Sequence, residues 1–172
     1  MATAKKQTDK FANVAWLDVS ESAANTLTFN ALSLANNLMD TKFAMIIHRA
    51  EISVLPSQFN GHGDNVTVAL TLSDRLTSLQ LSQPEVLFYK MLWRNDTGTA
   101  ASSELLEQPL VVDFTDLPGS GLIVPADRLY IACVGAGCAA ANNAGMRVYY
   151  TVMPLETSDY WELIEARRIM TT

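Results

Sequence analysis

The chain has 172 residues, of which 49% are hydrophobic and 17% charged, and its formal net charge is -6. That length supports one core rather than two, and the acidic balance argues against a dedicated nucleic-acid binder, whose affinity comes from clustered Lys and Arg. No stretch approaches the ~20 consecutive apolar residues of a bilayer span, and a charged fraction below the roughly 25% of average soluble proteins points to surface hidden in an assembly.

In chain order, residues 1–10 form a basic arm carrying Lys5, Lys6 and Lys10. Asn13, Asp18 and Glu21 interrupt any apolar stretch behind it, so no secretion signal is expected and the protein is expected to be made in the cytoplasm. Residues 11–172 read as a single domain. Eight runs rich in β-branched, aromatic and Leu residues follow, at 13–19, 26–35, 43–55, 65–72, 85–93, 109–114, 128–135 and 146–154. Each is closed by Asn, Asp, Gly or Pro, the pattern of an all-β domain. Alternation places Leu27, Phe29 and Ala31 on one face of the second run. It sets Val66, Val68, Leu70 and Leu72 on one face of the fourth, with Thr67 and Thr71 facing out. The third run is apolar on both faces in its first half, as a strand in the middle of a sheet would be. Residues 74–83 and 100–108 fit either a short helix or an ordered loop. After Pro154, Ser158 or Asp159 can cap a helix at about 159–170, with Glu162 at capping-box spacing from Asp159. Tyr160, Leu163, Ile164 and Arg167 share one face of that helix, and Trp161 and Arg168 flank it.

Motifs that could carry chemistry lack their context. Gly135-Ala136-Gly137-Cys138-Ala139-Ala140 has the spacing of a dinucleotide fingerprint, but Asn142, Asn143 and Gly145 break the chain where the helix should run. A flexible hairpin tip is the expectation there, and no cofactor is expected. His48 and His62 are the only histidines, too few for a three-His zinc site. His48 reads as a strand residue satisfied by cross-strand partners, and His62 as an exposed turn residue in the glycine-rich loop 60–64. Asp113 and Asp116 could in principle join a calcium site, but they lack EF-hand spacing and read as turn caps, so no metal is expected. Cys133 and Cys138 form neither a disulfide framework nor a metal knuckle and read as reduced small hydrophobes. The residues supply no catalytic set, and the expectation is a protein that is not an enzyme and has no small-molecule substrate.

Eight strands in this order, ending in a strand and a short helix, have the count and order of a jelly roll, two packed four-stranded sheets. The fold class expected is therefore all-β, an eight-stranded jelly-roll sandwich with a short C-terminal helix. Glu21-Ser22-Ala23-Ala24-Asn25-Thr26-Leu27-Thr28-Phe29, Val111-Val112-Asp113-Phe114-Thr115, Leu122-Ile123-Val124 and Asp127-Arg128-Leu129-Tyr130 give the chain its texture, with Arg147-Val148-Tyr149-Tyr150-Thr151-Val152 before the terminal helix. In segment order it resembles the small single jelly-roll capsid proteins of tailless icosahedral viruses of bacteria and archaea. That resemblance implies a structural virion protein, an upright shell brick that binds copies of itself in pentamers or pseudo-hexamers. It implies other capsid proteins as partners, and an internal membrane or genome beneath the shell. Terminal segments commonly lock subunits in such assemblies, so Lys5, Lys6 and Lys10 of the arm and Tyr160, Trp161, Ile164, Arg167 and Arg168 of the helix are the expected interface residues. Two alternatives stay open. One is a lectin-like or trimeric receptor-binding jelly roll that recognises carbohydrate through loop 60–64 or 117–121. The other is a cupin-type enzyme, which two histidines serve poorly.

Overall fold

The computed structural model describes residues 13–33, 43–55, 63–93, 109–117, 120–124 and 128–156, together with Ser158, Asp159, Trp161, Glu162 and Glu165. Among the described residues are nine strands: β1 (Asn13–Ser20), β2 (Thr28–Ser33), β3 (Phe43–Leu55), β4 (Asn65–Thr71), β5 (Val86–Trp93), β6 (Leu110–Asp113), β7 (Leu122–Val124), β8 (Arg128–Ala136) and β9 (Asn143–Pro154). One sheet runs in the order β1-β9-β3-β6, with β7 also on β3, and the other runs β2-β8-β4-β5. Every pairing is antiparallel. Successive strands β1 and β2, β3 and β4, and β8 and β9 lie in opposite sheets, so the chain crosses the sandwich at each connection, as it does in a jelly roll.

Each of the eight runs read from the sequence holds one strand, and the ninth strand, β7, has a local cause. β6 pairs with Arg49–Ile52 of β3, and β7 pairs with Met45–Ile47 on the same edge. The two are one edge strand, interrupted by an excursion through residues 114–121. Opposite the break, β3 carries a bulge between Ile47 and Arg49. The bulge changes the phase of the strand: Met45 and Ile47 point into the core before it, and Ala50, Ile52 and Val54 after it. His48 is the extra residue. Its Nδ1 lies 2.7 Å from the Ser120 carbonyl and its Nε2 lies 2.9 Å from the Thr151 hydroxyl. Its own carbonyl accepts the Phe114 amide at 2.8 Å. The excursion returns tightly against the bulge. Gly121 has no side chain there because a Cβ would meet Ile46 Cγ2 and, at 2.9 Å, the Ile47 carbonyl.

The inner faces of both sheets build the main core, in which Ile47, Ile52, Leu70, Leu92, Leu129 and Ile131 are the largest fully buried side chains. Burying each such side chain contributes about 1.5–3 kcal/mol. A second, smaller cluster of Ala69, Leu79, Val86 and Ala132 lies on the outer side of the β2-β8-β4-β5 sheet. Residues 72–85 cover it as an ordered loop with turn bonds from Gln83 to Gln80 and from Val86 to Gln83, both 2.9 Å. This cover corrects one expectation. Thr67 and Thr71 do not face solvent but are 5% and 0% exposed, because β4 is an inner strand covered on both sides. Leu27 and Phe29 share one face, as their alternation predicts, and pack on the outer cluster, while Leu32 on the other face packs on the main core. Among the described residues, helix is confined to Ser158, Asp159, Trp161, Glu162 and Glu165, in the stretch where residues 159–170 were expected to be helical.

Candidate functional site: a locked corner and two outer faces

Three turns meet at one end of the sandwich, those after β1, before β4 and between β8 and β9. Glu21, 5% exposed, ties two of them together. Its Oε1 accepts the amides of Thr26 at 3.1 Å and Gly135 at 2.7 Å. Its Oε2 accepts the amide of Asn142 at 2.8 Å and the Asn142 side-chain Nδ2 at 2.7 Å. Asn25, in a left-handed conformation at φ 60°, adds a reciprocal pair with Cys138: Nδ2 donates to the Cys138 carbonyl at 3.0 Å and Oδ1 accepts its amide at 2.9 Å. The 135–140 motif is therefore not a flexible hairpin tip. Its flanking strands lie in different sheets, so it is a corner between layers, with Cys138 4% exposed and Gly137, at φ 78°, packed on the Asp64 carboxylate. The chain enters β9 at Asn143, so no helix opens at these glycines.

The other candidate groups are committed to structure. His48 bridges β9 and the 114–121 excursion, as a strand histidine satisfied by its partners. Because the Ser120 carbonyl can only accept, Nδ1 carries a proton and donates to it, while Nε2 pairs with the Thr151 hydroxyl. Asp113 Oδ1 accepts the Thr115 hydroxyl at 2.6 Å and its amide at 2.8 Å. Those two bonds, with the nearby Arg49 guanidinium, hold the Asp113 carboxyl below the usual carboxylate range. Burial first, then the Glu21 and Cys138 charges, pushes the Cys133 thiol up to about 12, which leaves it without nucleophilic character at neutral pH. Among the described residues no three His, Cys, Asp or Glu side chains gather to hold a metal.

The accessible chemistry lies on the outer faces of the sheets. On the β1-β9-β3-β6 face, strand register sets Trp16, Arg147, Glu51 and Val111 in one row across the four strands, and Val14, Tyr149, Arg49 and Asp113 in another. Arg49 pairs with Glu51 at 2.8 Å, and the Tyr149 hydroxyl donates to Glu51 at 3.3 Å. Gly145 sits between Asp18 and Ser53 and leaves a hollow there. The hollow opens into a groove of about 520 Å³ walled by Trp16, Asp18, Glu51, Ser53, Pro109 and Arg147. Trp16 is 67% exposed. On the opposite face of the sandwich, the edge strand β5 presents Met91 and Trp93, 47% and 61% exposed.

The strand order and the pair of outer faces permit comparison with known proteins. The fold is a jelly roll similar to that of solved viral proteins. VP1 of Trichodysplasia spinulosa-associated polyomavirus overlays on 88% of this chain and 100% of its own, with a TM-score of 0.54 and 9% sequence identity. The same virus's VP1 in complex with 3'-sialyllactose covers 90% of this chain and 99% of its own, with a TM-score of 0.54 and 10% identity. A structure of turnip yellow mosaic virus covers 85% of this chain and 96% of its own at a TM-score of 0.33 and 11% identity. At these identities the likeness is one of fold. No protein-family model matches the chain, and no curated protein matches its sequence.

Of the interface residues expected from the sequence, Trp161 is described and 53% exposed. Lys5, Lys6, Lys10, Tyr160, Ile164, Arg167 and Arg168 lie outside the described residues, as does His62. Of the loops weighed for carbohydrate, 60–64 is described only at Gly63 and Asp64, and 117–121 is described at Leu117, Ser120 and Gly121. Sequence reasoning missed Glu21, which looks like any strand-end carboxylate until the folded chain brings the Gly135 and Asn142 amides to it. Trp16 was legible as a candidate interface anchor, together with Trp93 and Trp161, and Val14, Trp16 and Asp18 alternate with Ala15, Leu17 and Val19, a pattern that marks an outward face.

Proposed function

We propose that the chain is a structural virion protein, a capsid subunit that packs laterally with copies of itself into an icosahedral shell, and that it performs no catalysis. The observation that carries this reading is the two-sheet sandwich with interleaved strands, which overlays on a polyomavirus VP1 over nearly the whole of both chains. The small charged fraction supports it, because interface cores are depleted of charge. Large apolar side chains on two opposite outer faces support it as well. On this reading the protein resides in the virion after synthesis in the host cytoplasm. It partners other capsid proteins and encloses a genome or an internal membrane. The tailless icosahedral viruses of bacteria and archaea are its proposed setting.

Light scattering on the eluting protein, followed by negative-stain microscopy, tests the reading. Pentamers, hexamers or regular particles are the expected result; a monomer up to the highest soluble concentration overturns it. The alternative, carbohydrate recognition, draws on the structure of a similar fold in complex with 3'-sialyllactose. A small closed oligomer that binds glycans on an array and never assembles further would favour that alternative.

A further inference from the structure

Two exposed tryptophans lie on opposite sides of one sandwich, in different chemical settings. Trp16 stands beside the Gly145 hollow, in a groove whose rim is polar. Arg49, Glu51 and Tyr149 satisfy one another along that rim, and the Arg147 guanidinium and the Asp18 carboxylate have no partner among the described residues. Trp93 and Met91 project from the far end of β5, outside the outer cluster that the loop 72–85 covers. An apolar centre with a polar rim is the composition of a protein interface, and Trp and Arg are its usual anchors. A two-fold contact uses one patch twice, whereas two unlike patches on opposite sides suit a head-to-tail contact that closes into a ring.

We propose that the Trp16 groove of one copy receives the Met91 and Trp93 edge of the next copy, and that this heterologous contact is the lateral bond of the assembly. The inference rests on the capsid reading and adds to it the faces and the anchors. The dimensions agree. Strands of 8, 12 and 13 residues, with 4 and 3 more in β6 and β7 along the edge, at about 3.3 Å per residue and about 4.8 Å apart, present a face of roughly 630 Å², close to the ~800 Å² that each partner contributes to a standard interface. The hollow over Gly145 gives a bulky side chain from the neighbour a place to sit. The Asp18 and Arg147 charges at its rim can take polar groups of the incoming chain.

Two variants of the full chain test this, Trp16→Glu and Trp93→Glu. Both positions are more than half exposed, so each variant should keep the wild-type circular dichroism spectrum; Trp16→Ala and Trp93→Ala repeat the test without an added charge. Each variant alone should need at least tenfold more protein than wild type to reach half assembly, as read by sedimentation velocity. Mixed in equal amounts, the two Glu variants retain one intact contact, between the Trp93 edge of the first and the Trp16 groove of the second. The mixture should therefore form heterodimers that grow no further. Wild-type assembly by Trp16→Glu or by Trp93→Glu, with the wild-type chain assembling beside it, overturns the proposed contact and leaves the capsid reading standing. A mixture with no heterodimer also overturns it. A wild-type chain that never assembles overturns the capsid reading itself, and the contact with it.

Discussion

Glu21→Gln keeps the shape of the side chain that locks the corner and changes only what its second arm can do. In the native corner both carboxylate oxygens accept, Oε1 from Thr26 and Gly135 and Oε2 from the amide and the side chain of Asn142. Gln preserves the first pair and turns an NH₂ towards two N–H donors. The Asn142 side chain can relieve half of that conflict by rotating its amide. Its Oδ1, which has no partner in the native corner, would then accept from the new NH₂. The Asn142 backbone amide stays orphaned in a residue that is 1% exposed. One buried donor left unmade, plus the loss of charge assistance in the surviving bonds, sums to about 2–3 kcal/mol. With a urea dependence of about 2 kcal/mol per molar, the unfolding midpoint should fall by roughly 1 M. Hydrogen exchange should show the loss locally, with faster exchange of the Asn142 amide and little change at core amides such as Ile131. A midpoint within about 0.25 M of wild type, or unchanged exchange at Asn142, would refute the assignment of Glu21 as the lock.

Three further outcomes follow from the same geometry. Gly137→Ala forces a Cβ into the left-handed region and against the Asp64 carboxylate; it should cost about 2–3 kcal/mol in the same urea titration, and an unchanged midpoint counts against the corner geometry. Thr115→Val removes the hydroxyl that does most to depress the Asp113 pKa, so a carboxyl-carbon NMR titration should show Asp113 moving up towards the usual carboxylate range. In the wild type, the stabilisation that Asp113 contributes is present above that range and is lost as the pH falls through its depressed value. Cys133 titrates near 12 because it is buried, so its neutral form is favoured by folding. That contribution is intact below the ordinary thiol range of about 8.5 and is lost as the pH rises towards the folded value. Mass spectrometry after maleimide treatment at neutral pH should find Cys133 unlabelled in native protein and labelled in urea; rapid native labelling would contradict its burial.

Much of this protein follows from local pattern, because a half-buried strand writes its period directly into the chain. The run 43–55 matches β3 at both ends, and its change of phase at His48, from Met45 and Ile47 to Ala50, Ile52 and Val54, is itself the signature of a bulge. The jelly-roll class followed from the number and order of such runs. Periodicity reports that alternate side chains differ in environment and is silent on what covers them. It therefore could not tell that Thr67 and Thr71 lie beneath the cover of the outer cluster, or that Leu27 and Phe29 turn away from the main core. The split of the edge into β6 and β7 escaped the same reading, since three residues are too short to show a period. The corner and the outer faces belong to tertiary structure alone. Glu21 stands more than a hundred residues from the Gly135 and Asn142 amides it accepts, and Trp16 gains its surroundings from β9 and β3. Local sequence determined which segments are strands and which way most of their side chains alternate. Only the closing of the sandwich decided which polar groups are spent inside it and which apolar ones are left exposed, because both depend on segments distant in the chain that meet only in the folded state.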